Sequence, residues 1–183
     1  MSAFIVLEGG DKTGKTTQFE LLKLRLPECV YLSNTKATAL GQLMRDHYLH
    51  ASMSPETSVR LALAVAHDEC EQIIVPALSL GQTVIADRWF YSALVYNGID
   101  RSRWGSWLSL LPSHPFTIYL SERQAPLHAD DRFENEETAA VVASRYEEMA
   151  ADLGFTRIGG GTIAQMHERI VAAVRGRETF CRS

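Results

Sequence analysis

Cysteine is scarce, with Cys29, Cys70 and Cys181 the three in 183 residues. They are far apart, odd in number and without C-x-x-C spacing, which argues against a disulfide framework and gives no zinc pattern. An excess of positive charge is also missing. Eighteen Lys and Arg against 22 Asp and Glu leave a net charge of −4, so no broad basic face suits a nucleic acid as main partner. No apolar run reaches the roughly 20 residues of a membrane span, which removes the membrane as a partner. Met1-Ser2-Ala3 leads straight into an apolar run, leaving no room for a signal or transit peptide. The expectation is a protein with reduced thiols, kept in the cytoplasm, or in the cytoplasm or nucleus of a host cell. Internal repeats, low-complexity tracts and evident linkers are absent as well, and 183 residues suit one domain of ordinary size.

What is present is an alternation of apolar strand patterns and amphipathic helical ones. Strands are expected at 4–8, 29–33, 83–86, 116–120 and 155–158, and helices at 17–26, 40–49, 54–80, 89–96, 102–111, 136–153 and 163–174. Ser54-Pro55-Glu56 supplies an N-cap, a Pro at the first helical position and an early acid for the long central helix. Such alternation predicts an α/β domain spanning 1–183, with a parallel five-stranded sheet flanked by helices on both faces. The least regular stretch, 121–131, reads either as a plain surface loop or as a mobile cover. The tail from Arg175 is expected to fray.

Gly9-Gly10-Asp11-Lys12-Thr13-Gly14-Lys15-Thr16 follows the first apolar run and precedes a helical pattern, the context that a P-loop needs. Its glycines let the backbone wrap an anion, so that Gly10, Thr13, Gly14, Lys15, Thr16 and Thr17 would cradle the phosphates of ATP. Lys15 would reach the β/γ-phosphates and Thr16 would hold Mg²⁺. Later, Asp87 and Arg88 fall where a strand becomes a helix, at the edge where ligands of open α/β sheets bind. There Asp87 would join the Mg²⁺ shell, and Arg88 would grip a phosphate through its planar fork. The plainer reading of the pair is a helix cap and a surface charge.

The two stretches read Glu8-Gly9-Gly10-Asp11-Lys12-Thr13-Gly14-Lys15-Thr16-Thr17-Gln18 and Asp87-Arg88-Trp89-Phe90-Tyr91-Ser92-Ala93-Leu94-Val95-Tyr96-Asn97-Gly98. Together they resemble the thymidylate kinase family, whose members carry E-G-x-D-x-x-G-K-[ST]-T-Q and then D-R-[YFHW]-x-x-S-x-x-A-[YF]-x-G; here Val95 stands for the usual Ala. The resemblance implies a P-loop kinase fold that moves the γ-phosphoryl group of MgATP onto a nucleoside monophosphate, dTMP first. It implies nucleotides as small-molecule partners and a homodimer. It places Lys15, Asp11, Lys12 and Arg88 in catalysis, with Asp11 facing the acceptor sugar and Lys12 in the slot where one branch of the family has an Arg.

In the other branch that cation comes from a cover segment near 121–135, where Arg123 and Arg132 are candidates and Phe133 would lie near the acceptor base. Ser92, Tyr96 and Asn97 would line the acceptor pocket, and Gly160 and Gly161 fall where the family's adenine loop lies. Lys36 aligns with a phosphate-binding Arg, and Leu63 and His67, or Ala62 and Ala66 under a one-residue shift, with a base-stacking Phe and a second phosphate-binding Arg. Those three exchanges leave a different or modified nucleotide open as acceptor, and a non-catalytic nucleotide-binding module is the alternative of another class. His67 also reads as a plain packed or solvated histidine, and Trp89, Phe90 and Tyr91 as stacking or core aromatics.

Overall fold

The computed structural model describes residues 2–33, 36–48, 53–122 and 136–180. The expected cover residues Arg123, Arg132 and Phe133 lie outside the described residues. β1 (Phe4–Glu8) is buried along its whole length, as a strand covered on both faces must be. It pairs in parallel with β3 (Val84–Asp87) and β4 (Phe116–Leu120) on either side, with Ile5 opposite Ile85 and Phe116. β2 (Val30–Ser33) pairs with β3, and β5 (Thr156–Ile158) with β4, giving the order β2-β3-β1-β4-β5. The chain reverses its direction across the sheet beside β1. That reversal opens a crevice at the carboxyl ends of the strands, where ligands of doubly wound sheets sit.

Alternate strand residues face opposite layers. Ile5, Leu7, Ile85, Ile118 and Leu120 pack with Phe19 and Leu22 of α1 (Lys15–Arg25) and with Met166, Ile170 and Val174 of α8 (Ile163–Phe180). Phe4, Val6, Val84, Ala86 and Tyr119 pack on the other layer. α2 (Ala39–Leu43) leads toward that layer, whose helices are α3 (Pro55–Glu69), α4 (Val75–Ser79), α5 (Phe90–Tyr96), α6 (Trp104–Leu108) and α7 (Glu136–Leu153). Cys29 and Cys70 are buried.

The long central helix is one rod made of α3, a wide π turn at Cys70–Ile74, and α4. Pro76 accounts for the wide turn. It has no N–H to continue an α ladder, and the Val75 N–H instead reaches back five residues to the Cys70 carbonyl, so that Pro76 falls in the first turn of a new α segment. Ser54 caps the rod as its sequence suggests, accepting from the Thr57 N–H at 3.2 Å. The C-terminal tail differs from expectation. α8 continues through Arg175 to Phe180, and the Arg177 guanidinium sits 4.1 Å from the centre of the Phe116 ring.

Gly9 leaves β1 with φ 147°, and a Cβ built there would stand 2.5 Å from the Leu120 carbonyl oxygen on β4. Gly176 lies inside α8 with open space around it. Gly9→Ala is therefore expected to cost about 1–3 kcal/mol of stability or more, whereas Gly176→Ala should add roughly 0.5–1 kcal/mol. Chemical denaturation of both variants checks the contrast, and equal effects would contradict it.

Candidate active site

The phosphate loop joins the end of β1 to the start of α1. Gly14 is left-handed, φ 87°, and caps α1 with no side-chain bond, so the first amides of the helix point into the loop with their partial positive charge. Lys12 also has a left-handed backbone, φ 61°. The Lys15 ammonium is folded into the loop, donating to the Gly10 carbonyl and, at 3.1 Å, to Thr13 Oγ1. Burial first, and then repulsion from Arg88, lower its pKa to about 7, against the pull of Asp11, Asp87 and Glu8. An anion in the loop would restore that charge. Thr16 and Thr17 are exposed on the first turn of α1, and Thr16 Oγ1 donates to Asp87 Oδ2 at 3.2 Å across from β3.

Arg88 joins this loop to the turn after β3. Its backbone is left-handed, φ 64°, and its N–H donates to the Leu7 carbonyl at 2.9 Å. One arm of the fork, Nη2, donates to Asp11 Oδ1 at 2.6 Å and to the Tyr96 hydroxyl at 3.1 Å. The other, Nη1, donates to the Gly9 carbonyl at 2.9 Å and to Ser92 Oγ at 3.3 Å. Tyr96 in turn donates to Asp11 Oδ2 at 2.8 Å, so both oxygens of that carboxylate are engaged. Burial holds the Tyr96 phenol well above its ordinary pKa, which keeps it a donor.

Beneath Arg88 lies Glu8, fully buried at the end of β1. Its carboxylate accepts from the Trp89 N–H at 2.9 Å, from Ser92 at 2.7 Å and from the Tyr146 hydroxyl at 2.8 Å. Burial pushes the Glu8 carboxyl up, and Arg88, Ser92, Trp89 and Tyr146 pull it back. Glu8 opens the family pattern without a role assigned to it, and Tyr146 does not stand out in the sequence. The available signals were a carboxylate finishing a fully apolar strand, and a Tyr in step with the buried Val142, Met149 and Ala150 of α7.

Other expected residues are placed differently. Ser92 is buried in this network rather than lining an open pocket. Asn97 turns its amide back to the Ala93 carbonyl at 2.8 Å, and His67 Nε2 lies 2.9 Å from the Leu110 carbonyl beyond α6. Leu63 packs against the core, and Lys36 is exposed after β2. Trp89, Phe90 and Tyr91 are all core. Trp89 crosses Phe4 edge-on at 4.9 Å, and its indole N–H donates to the buried Glu69 carboxylate at 3.2 Å.

Gly160 and Gly161, with φ 68° and 92°, form with Gly159 one wall of a cavity of about 630 Å³ that Ala164, Gln165, Glu168 and Arg169 complete. Arg169 holds the loop, donating to the Gly159 carbonyl at 2.7 Å and to that of Gly160. Thr162 and Gln165 form a capping box at the start of α8, with bonds of 2.9 and 3.2 Å. The glycine loop is tied to the phosphate loop by Gln18 of α1, which bonds the Ile163 carbonyl at 2.9 Å and His167 at 3.1 Å.

Lys15 also gives the fold a pH dependence. Its folded pKa of about 7 lies below the ordinary 10.5, so between the two values the unfolded chain binds the extra proton and stability rises with pH. Below about pH 7 both states are charged and the whole cost of the buried ammonium falls on the folded state. Lys15→Met should therefore be more stable than the parent near pH 6 and lose that advantage as the pH nears 10.5. Urea unfolding across this range checks it; a difference independent of pH would contradict it.

The family model described as thymidylate kinase matches residues 7–170. A curated thymidylate kinase of Synechococcus is 41% identical over 103 residues, 54% of this chain and 50% of that protein, so the chain spans about half the length of the first such relatives it matches. A thymidylate kinase of Janthinobacterium is 31% identical over 94% of this chain and 96% of its own length. Among solved structures, thymidylate kinase from Ehrlichia chaffeensis superposes with a TM-score of 0.77 at 21% identity, covering 94% of this chain and 98% of that one. That from Candida albicans gives 0.73 at 21%, covering 97% and 92%. These two share the parallel five-stranded α/β fold. With the family pattern running from the end of β1 into α8, the chain belongs to the thymidylate kinase family.

Proposed function

We propose that the chain transfers the γ-phosphoryl group of MgATP to dTMP, giving dTDP and ADP. The observation that carries this reading is the contact of Arg88 with Asp11 at 2.6 Å, which sets an acceptor-side cation directly against the phosphate loop. A phosphoryl group leaving ATP passes through a loose, metaphosphate-like transition state, so the protein's work is alignment and charge neutralisation. The loop amides and Lys15 would hold the donor phosphates, Lys12 would meet charge developing on the transferred group, and Arg88 would orient the acceptor phosphate. Asp11 would face the sugar. The Thr16 and Asp87 oxygens are the hard ligands that Mg²⁺ takes, one or two from the protein and the rest from phosphates and water. When bound, Mg²⁺ would offset charge on the β- and γ-phosphate oxygens.

The cavity beside Gly160 and Gly161 would take the donor adenine, and Arg123, Arg132 and Phe133 belong to this reading as cover residues. A homodimer belongs to it too, with Leu40 and Leu43 on α2 as apolar side chains a second copy would cover. No described helix is long and apolar enough to cross a membrane, and the cytoplasm is the proposed location.

A second reading, phosphorylation of a modified or different deoxynucleotide, draws on the acceptor side. There His67 is turned onto the Leu110 carbonyl and a leucine stands in place of a stacking aromatic. Losing base–aromatic stacking is worth about 1–3 kcal/mol per base in single-strand binding. ADP release with dTMP and a panel of natural and modified monophosphates discriminates the two. The first predicts the highest kcat/KM for dTMP; a higher value for another monophosphate would replace it with the second. ATP binding without any monophosphate-dependent turnover would overturn both in favour of a non-catalytic module. Lys15→Ala is expected to lower kcat by about 10²-fold or more.

A further inference from the structure

We infer that Tyr146, acting with Glu8, is a positioning residue for the acceptor: it holds the Arg88 guanidinium in the orientation that meets the monophosphate. This rests on the reading of the chain as a monophosphate kinase.

Packing alone does not call for a hydroxyl at Tyr146. The side chain is fully buried in the middle of α7, its ring stacked on Tyr119 at 5.6 Å and 18° and edge-on to Tyr96 at 6.5 Å. A phenylalanine would make the same ring contacts without a polar atom to satisfy. A hydroxyl in such a place costs stability unless it is bonded. Each of its polar contacts is made within one cluster: Glu8 Oε2 at 2.8 Å, Ser92 Oγ at 2.9 Å and Arg88 Nη1 at 3.4 Å.

Glu8 divides its two oxygens between two tasks. Oε1 accepts the N–H of Trp89, the residue after Arg88, and so pins the chain just beyond the left-handed backbone. Oε2 accepts from Ser92 and Tyr146, the two hydroxyls that also receive Arg88 Nη1. The carboxylate thereby fixes both ends of one lever, the backbone that carries the arginine and the hydroxyls under its fork. The opposite arm, Nη2, is set by Asp11 and Tyr96 on the open side. Removing the Tyr146 hydroxyl leaves Oε2 with Ser92 alone and takes one buried acceptor from Nη1. The guanidinium is then held by Gly9, Ser92, Asp11 and Tyr96 without its deepest anchor, and its orientation toward an incoming phosphate is less fixed. A misplacement of an aligning group by about 1 Å can cost on the order of 10²-fold in rate.

The test is steady-state kinetics with dTMP as varied substrate, together with calorimetric ATP binding, on Tyr146→Phe, Ser92→Ala and Tyr31→Phe. Tyr31 is the control, a hydroxyl bonded to the Leu22 and Leu26 carbonyls at 2.7 and 2.9 Å, on the far layer from this cluster. The expected result is a rise in acceptor KM of about tenfold for Tyr146→Phe and a smaller rise for Ser92→Ala, with ATP affinity held within about twofold. Tyr31→Phe should lower the melting temperature with acceptor KM unchanged. If Tyr146→Phe and Ser92→Ala behave like Tyr31→Phe, losing stability but not acceptor affinity, the inference is overturned while the kinase reading stands. If Tyr146→Phe does not fold, Ser92→Ala alone decides between these outcomes. Absence of turnover by the parent with any monophosphate overturns the kinase reading and this inference with it.

Discussion

Arg88 carries a backbone angle, φ 64°, that a non-glycine residue adopts at a cost of about 1–3 kcal/mol. The surroundings over-determine it. The Arg88 and Trp89 N–H groups are taken by β1, through the Leu7 carbonyl and the Glu8 carboxylate, and the guanidinium is bonded to Gly9 and Asp11 of the phosphate loop. The turn after β3 and the loop after β1 are therefore one construction. Its parts come from the two strands flanking the crevice, and the parallel register that sets Leu7 opposite Asp87 brings them level.

Electrostatics follow from the same arrangement. Three groups that are charged in water, Glu8, Lys15 and Arg88, lie together at low exposure, and Arg88 acts on both of the others. Lys15 bears a cost in this arrangement, because burial disfavours the ammonium and the charge of Arg88 is of its own sign. A phosphate loop whose lysine is reluctant to be charged when it faces only protein gains more from an anion than one whose lysine is already paired. The loop is thus built toward its ligand rather than toward its own stability, in keeping with the view that natural sequences break local rules chiefly at functional sites.

Much of this was legible in the sequence for physical reasons. The strand patterns are apolar runs because the strands are covered on both faces, and the Gly9–Thr16 segment has a spacing that only a strand–loop–helix context explains. Ser54-Pro55-Glu56 declared a helix start in the same way. Direction was not legible. A motif places Ser92 on one short helix and Asn97 at its end, but whether a hydroxyl or an amide turns to the crevice or back to the protein depends on neighbours such as Glu8 and Ala93. Tyr146 was silent because one tyrosine in a buried helical stripe looks like core until its hydroxyl partners, 138 and 54 residues away in sequence, are in place. Arg169 carries no signal of its own within a helical pattern, and only the fold brings it under the glycine loop. The π turn at Cys70–Ile74 needed Pro76 to be weighed against a helix long enough to absorb it.

The central claim is that the fork of Arg88, spanning the phosphate loop on one side and the Glu8 cluster on the other, aligns a monophosphate for transfer. Arg88→Lys keeps the charge and removes the fork, since an ammonium cannot bond Asp11 and Gly9 from two fixed arms. The direct measurement is kcat/KM for dTMP at saturating MgATP in this variant. A fall on the order of 10²-fold, with ATP still bound, is predicted; a kcat/KM within about twofold of the parent would contradict the account.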